Sequence, residues 1–429
     1  MTAEIVIMNK QGIAIAADSA MTISNGSNTY KVYNSANKLF SLSKTQPIGI
    51  MIYNDGSFMG TPWESLIKFY RSSHLKSQSF STTKEYYNDF LDFLRTTNLL
   101  NQQDESEFYF LTIYNKFNKI TKDAQIYIKS KPVPANTPLD RHINNVLKNL
   151  LKIFVNVTDQ SLDRHAFSEQ IEAKYLEEYR STISEIFDSI FSNIGAADEL
   201  KESVIRACVK LLGCHSTHIC TYSGLVVAGF GTEDKYPSLF SCEIEYRFQG
   251  NIPLVNSEEI YISNELKSAI RPFAQRNMAD LYINGIDTKV KNVIFESFKD
   301  ALSSIAAEVT RSLSVTPTQA QKTEISNIIE QTYLSIQSQY NFHLTDNFIR
   351  PLLSSVTLLP LEEMVLMAKT LVHLTSFKQR VTHTLETVGG PIDIAVISKG
   401  DGFIWIDRKH YFTKEINGDF YERRYGSTK

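Results

Sequence analysis

The chain has 429 residues, a formal net charge of −3, 42% hydrophobic residues and 21% charged residues. At roughly 100–200 residues per domain this allows two or three domains or one enlarged one, and the charge balance carries no basic excess that would mark a nucleic-acid binder. No apolar run is long enough to span a membrane and no basic-then-apolar leader opens the chain. Four cysteines in so long a chain do not make a disulfide framework, so a reducing cytoplasm is the expected setting.

The first eighteen residues read as a β-hairpin. Ile5 and Ile7 alternate with Val6 and Met8, so both faces of the first strand are apolar. Gln11-Gly12 supplies a turn with freedom for a positive φ. The run Ile13-Ala14-Ile15-Ala16-Ala17 makes a second strand buried on both faces, ending at Asp18. The hairpin therefore brings Thr2 and Asp18 to one end. Residues 19–34 are polar and read as a loop. Strands follow near residues 37–43 and 48–53, closed by Asn54-Asp55-Gly56. Thr61-Pro62-Trp63-Glu64 and Thr82-Thr83-Lys84-Glu85 read as capping boxes that open two helices.

Residues 100–213 carry helical periodicity and read as an inserted helical subdomain. Its apolar stripes are Ile143, Val146, Leu147, Leu150, Leu151, Phe154 and then Tyr175, Tyr179, Ile183, Ile186, Phe187. Strands resume near residues 218–229, 239–248 and 259–263. Helices are expected at 265–278, 290–312, 323–340 and 345–353, with another beginning at Pro360. The resulting division is 1–99 and 214–410 for a split core, 100–213 for the insertion, and 411–429 for a tail.

The chemistry lies at the hairpin's end. A threonine hydroxyl is a weak nucleophile until a base takes its proton. If Met1 is removed, the Thr2 α-amine, with a reference pKa of roughly 7.7–8.0, can be that base. A nearby lysine lowers the amine's pKa and a carboxylate holds the lysine. Lys38, in Asn37-Lys38-Leu39-Phe40, is the candidate lysine and Asp18 its partner. Cys214, His215, His218 and Cys220 are metal-ligand types, but their spacing is not a zinc pattern, and neither a metal nor a cofactor is expected. No Gly-x-Ser-x-Gly, His-Glu-x-x-His or Walker stretch occurs.

Thr2, then Gly12-Ile13-Ala14-Ile15-Ala16-Ala17-Asp18-Ser19, then Ala36-Asn37-Lys38-Leu39-Phe40 and Ile48-Gly49-Ile50-Met51-Ile52, resembles the proteasome β-type subunits. These are N-terminal-nucleophile hydrolases, and the resemblance is to a divergent, bacterial-type member with a large helical insertion. Glu386-Thr387-Val388-Gly389-Gly390-Pro391-Ile392-Asp393, followed by Gly400-Asp401-Gly402, is similar to the family's late Gly-Gly turn and hairpin. Leu385 and Val388 stand where the family carries Asp and Ser, with Glu386 and Thr387 one step off. The resemblance implies an α+β fold, a four-layer αββα sandwich. It implies Thr2 as nucleophile, Lys38 and Asp18 as the pair that tunes it, the Tyr53 backbone N–H as oxyanion donor, and Glu386, Thr387 and Gly389 as supporting residues. The implied activity is a threonine-type endopeptidase acting on a peptide or unfolded protein. The implied assembly is a homo-oligomer, as a ring, with an unfoldase or other partner protein. Neither a nucleic-acid nor a membrane partner is expected. The alternatives are an inactive proteasome-like scaffold or interaction protein, and an amidase acting on a small molecule.

Overall fold

The computed structural model describes residues 2–24, 30–130, 137–162, 167–191, 199–214, 222–382, 388–410, 412–413 and 415–418. Two five-stranded sheets dominate them. One runs β12-β1-β2-β13-β14, from β1 (Ala3–Asn9), β2 (Gly12–Ala17), β12 (Ser268–Ala274), β13 (Asp393–Ser398) and β14 (Gly402–Asp407). The other runs β11-β10-β9-β6-β5, from β5 (Leu39–Ser41), β6 (Ile48–Asn54), β9 (Ser223–Gly229), β10 (Ser238–Ile244) and β11 (Leu254–Tyr261). Every pairing in both is antiparallel, and the architecture is α+β.

The opening hairpin forms as its pattern requires, and every residue of β1 and β2 is buried. Alternation sorts these residues between two cores. Val6, Met8, Ile13 and Ile15 share a cluster with Met51, Val226 and Leu239 of the other sheet. Ile5, Ile7, Ala14 and Ala16 face the opposite way. They pack with Val356 of α10 (Arg350–Leu358) and with Met364, Ala368 and Leu371 of α11 (Leu361–Val381). Burial of each large apolar side chain is worth about 1.5–3 kcal/mol, so these strands are strongly held from both faces. The turn differs from the expectation. Lys10 and Gln11 make it, and Gly12 opens β2 without a left-handed φ. A Cβ on Gly12 would lie 2.5 Å from the Ile397 carbonyl oxygen, so glycine is needed there for β13 to lie alongside.

The second sheet's other face carries Ile48, Ile50, Ile52, Leu225 and Val227. It joins one continuous cluster with α1 (Trp63–Phe69), α2 (Thr83–Thr96) and four further helices. Those are α3 (Gln102–Ser130), α4 (Leu139–Ser161), α5 (Glu169–Phe191) and α6 (Lys201–Lys210), within the stretch read as helical. The stripes on α4 and α5 supply Leu147, Leu151, Tyr179, Ile183 and Phe187 to this cluster. The Thr82 capping box is present, with Thr82 Oγ1 accepting from Glu85 N at 3.3 Å. The Thr61 box is not: Thr61 and Pro62 form β8 opposite β7 (Ser57–Phe58), and Pro62 caps α1 without a side-chain bond.

Two further expectations are corrected. Part of the segment read as a loop pairs as a hairpin, β3 (Met21–Ser24) with β4 (Tyr30–Tyr33). Part of the helix expected at 265–278 is strand β12, paired along its whole length with β1. Leu266, Ile270 and Phe273 have helical spacing, but Pro272 cannot continue a helix and is tolerated in an edge strand. A short helix, α7 (Asn277–Asn284), follows. Then come α8 (Thr288–Ser312) and α9 (Gln319–Leu344), of which α8 buries only Phe295 and α9 buries nothing.

Arg247 ties the helical stretch to the end of β10. Its Nε donates to Glu105 Oε1 at 2.5 Å, and its Nη1 donates to the carbonyls of Leu94 (3.1 Å) and Thr97 (3.0 Å). Its Nη2 also donates to the Leu100 carbonyl. Both Arg247 and Glu105 are buried. Arg247→Met leaves the Glu105 carboxylate buried without its cation, and a loss of about 3–5 kcal/mol is expected in urea unfolding. A change within experimental error would mean that the pair does not hold the helices to the sheet.

Candidate active site

The hairpin register places Asp18 beside Thr2. Glu4 opposes Ala17, so Asp18 emerges next to Ala3. Asp18 N donates to the Ala3 carbonyl at 3.1 Å, and Ala3 N donates back to Asp18 Oδ1 at 3.2 Å. Lys38 comes from the other sheet. Its carbonyl accepts from Ile52 N at 2.8 Å, which fixes its backbone against β6, and its Nζ lies 2.5 Å from Asp18 Oδ1. Asp18 and Lys38 therefore meet, Thr2 precedes the Ala3 that Asp18 binds, and all three are buried: Thr2 is 4% exposed, Asp18 1% and Lys38 7%.

An ion pair taken out of water is tolerated only when its remaining donors and acceptors are satisfied. Asp18 meets that condition. Besides Lys38 and Ala3, its Oδ2 accepts from Gly389 N at 2.9 Å and Ala20 N at 3.3 Å. Gly389 thus touches the centre through its backbone, and its own carbonyl accepts from Ser19 N at 3.1 Å. Gly390 completes the turn with a φ of +77°, in the left-handed region that favours glycine. Glu386 and Thr387 lie outside the described residues.

The Tyr53 expectation needs correction. Strand β6 runs on to Asn54, so Tyr53 sits within the ladder opposite Gly224 and not just after the strand. Its ring occupies the space a Cβ on Gly224 would need, packs against Phe273 at 5.6 Å between ring centres, and its hydroxyl donates to Glu243 Oε1 at 3.2 Å. Burial, with Glu243 beside it, pushes the phenol well above the ordinary tyrosine range.

Sequence reasoning passed over Glu4. It lies two residues from Thr2 on β1, so both side chains leave the same face. It is 2% exposed, and its Oε1 is 3.8 Å from Lys38 Nζ. Neither Glu4 oxygen has a hydrogen-bond partner, and neither does Thr2 Oγ1. Burial pushes the Glu4 carboxyl from its ordinary 4.5 up to about 8, with Asp18 adding to the rise and Lys38 opposing it. The available signal was a single acid in a strand whose other residues, up to Met8, are apolar on both faces.

A second, partly buried pair adjoins the first. Asp393, at the start of β13, accepts from Lys409 N at 2.9 Å and from Lys409 Nζ. Burial lowers Lys409 below the usual lysine range, Asp393 opposes that, and Lys38 contributes to the lowering. Behind the Gly389-Gly390 turn, Val388 N donates to Gln379 Oε1 at 2.8 Å, and Gln379 Nε2 donates to Gln275 Oε1. Gln275 N donates to the Thr2 carbonyl at 2.9 Å, so this relay connects the late turn to the candidate nucleophile's backbone.

A cavity of about 370 Å3 borders this centre on the α11 side. Asp18, Ser376, Arg380, Gly389, Gly390 and Ile392 are among its lining residues, and Thr2 is not. Among the described residues no group of His, Cys, Asp or Glu is placed to hold a metal. Cys214 is buried, its Sγ donating to the Lys210 carbonyl at 3.4 Å, while His215, His218 and Cys220 lie outside the described residues. Among the described residues, no helix is long and apolar enough to cross a membrane.

No family model matches the chain, and no curated protein matches it. Among solved structures it is similar to the Gly-1 mutant of Anbu from Hyphomicrobium sp. strain MC1. The identity is 7% and the TM-score 0.26, over 100% of this chain and 98% of that chain. A likeness at that score decides nothing about fold or site.

The Glu4 carboxyl gives a stability test. Its folded-state pKa is raised, so between about 4.5 and about 8 the folded chain binds the extra proton and stability falls as pH rises. Glu4→Gln removes that slope. Its unfolding midpoint relative to the parent chain, measured by urea unfolding at low salt, is therefore expected to rise from about pH 5 to about pH 8 and to level off above that. A difference independent of pH would show that Glu4 is ionised throughout.

Proposed function

We propose that this chain is a threonine-type peptidase of the N-terminal-nucleophile kind, built on a four-layer αββα sandwich. Residues 1–99 and 214–410 form the split core, 100–213 the helical insertion and 411–429 a tail. The observation that carries the reading is the buried convergence of Thr2, Asp18 and Lys38 from two sheets, with Lys38 Nζ 2.5 Å from a fully hydrogen-bonded Asp18. The order of the apolar clusters supports the layering: helices, sheet, sheet, helices.

Removal of Met1 puts the α-amine and the hydroxyl on one residue. Thr2 Oγ then attacks a peptide carbonyl and an acyl ester forms as the amide nitrogen leaves. Water releases the product, with the hydroxyl proton passing to a base and back. In the family scheme that base is the Thr2 amine, whose pKa the Lys38 ammonium lowers. Glu386 and Thr387 are assigned supporting roles beside Gly389. The substrate is a peptide or an unfolded chain, and assembly is as a homo-oligomer, with an unfoldase as the class of partner that would feed it.

One observation favours a second reading, a silent scaffold of the same fold. Thr2 is only 4% exposed, and the Tyr53 backbone, the expected oxyanion donor, lies within a strand ladder. Thr2→Ala separates the two. Under the peptidase reading, hydrolysis of an unfolded protein such as casein falls to background while the unfolding midpoint stays put. Equal hydrolysis by the parent chain and the variant would remove Thr2 from the reaction.

A further inference from the structure

The family scheme uses Asp18 and Lys38 and leaves Glu4 without a role. A carboxyl buried on a covered face of a sheet, with neither oxygen hydrogen-bonded, is costly unless it is neutral or has a use. The uncharged neighbours across the ladders, Phe273 on β12 and Ala17 on β2, offer it nothing polar. The other buried side-chain atom left without a partner at this end of β1 is Thr2 Oγ1, two residues away on the same face.

We propose that Glu4 is the acceptor of the Thr2 hydroxyl proton. The inference rests on the reading of Thr2 as nucleophile and changes the identity of its base. The Thr2 hydroxyl lies near enough to Glu4 to favour the carboxylate form, but not in the geometry of a formed hydrogen bond. Lys38 Nζ, 3.8 Å from Glu4 Oε1 and 2.5 Å from Asp18 Oδ1, balances one of the two carboxylates when both are ionised. An ionised Glu4 also raises the pKa of a neighbouring amine, which keeps that amine protonated and makes it the poorer base.

The step balances. The Thr2 Oγ–H proton moves to a Glu4 oxygen as Oγ forms its bond to the carbonyl carbon. When the tetrahedral species collapses, the C–N bond breaks and the Glu4 proton passes to the departing amine. In the second half, water gives a proton to Glu4 and its oxygen to the acyl carbon, and the ester C–O bond breaks. Thr2 Oγ then takes the proton back. Among the described residues, the charged and titratable groups facing Glu4 are Lys38 from just before β5, Asp18 after β2 and the Tyr53 phenol from β6.

Two measurements on the full chain test the proposal. The first is the rate at which a β-lactone probe acylates Thr2, read by intact mass from about pH 6 to about pH 9.5, in the parent chain and in Glu4→Gln. Acid–base assistance of this kind is worth about 10²–10⁴ in rate. Glu4→Gln, with its unfolding midpoint checked, is therefore expected to label at least 100-fold more slowly and to lose the rise in rate with pH. Labelling within threefold of the parent chain, with the same pH profile, overturns the proposal.

The second measurement is the infrared titration of the Glu4 carboxyl, taken as the difference between the parent chain and Glu4→Gln and repeated in a Thr2→Val background. A shared proton requires the titration to move to higher pH when the hydroxyl is lost. An identical titration in the two backgrounds overturns the proposal. If the parent chain takes no probe at any pH, the nucleophile reading fails, and this titration decides the Thr2–Glu4 pairing by itself.

Discussion

An ion pair buried between two sheets is the constraint on which the rest of the centre depends. Lys38 leaves the second sheet at the start of β5, and Asp18 leaves the first at the end of β2. Their 2.5 Å contact joins those two ends. Out of water such a pair persists only with its other hydrogen-bonding capacity filled, and Asp18 fills it with three backbone N–H groups from Ala3, Ala20 and Gly389. The late Gly389-Gly390 turn is therefore part of the charge balance as well as a chain reversal. A displacement of that turn would remove a donor from Asp18 and loosen its hold on Lys38.

The surrounding fold keeps this arrangement in place. Strands β1 and β2 are buried along their whole length between α10 and α11 on one side and the second sheet on the other. Alanines at positions 14 and 16 bring α11 close to the strand that ends at Asp18, and Gly12 lets β13 lie against the same strand. The relay Val388, Gln379, Gln275 and the Thr2 carbonyl links α11, the late turn and β12 to the residue that carries the hydroxyl. By contrast α8 and α9 bury almost nothing, so this long helical pair contributes little to the centre's rigidity and belongs to the easily opened end of the stability range.

Much of this was readable from the chain alone, because the governing signals are local. Two apolar strands separated by a short turn define the hairpin, and a run of small residues ending in Asp18 brings the carboxylate beside Thr2. Periodicity also identified the stripes of α4 and α5 and the box that opens α2. Where the reading failed, a local pattern had two solutions. Ile270 and Phe273 have helical spacing yet lie in β12, and partnership with β1, some 260 residues earlier, decided the outcome. Thr61-Pro62-Trp63-Glu64 has a capping-box pattern, yet Thr61 pairs with Phe58. Glu4 was missed because a lone acid in a strand looks like a solvated position until the sheet that buries it is known. Asp393 and Lys409 were missed because their pairing depends on how the chain turns after β14.

The central claim is that Thr2 is a covalent nucleophile whose chemistry is set by buried charge. The most direct measurement is a peptide map of the purified native protein after incubation with an epoxyketone probe, recording both the first residue of the chain and the site of any adduct. The account predicts a chain that begins at Thr2 and carries one probe, with the adduct on Thr2 and nowhere else. A chain that keeps Met1 and takes no probe would contradict it, and the buried Asp18–Lys38 pair would then be a device for joining two sheets.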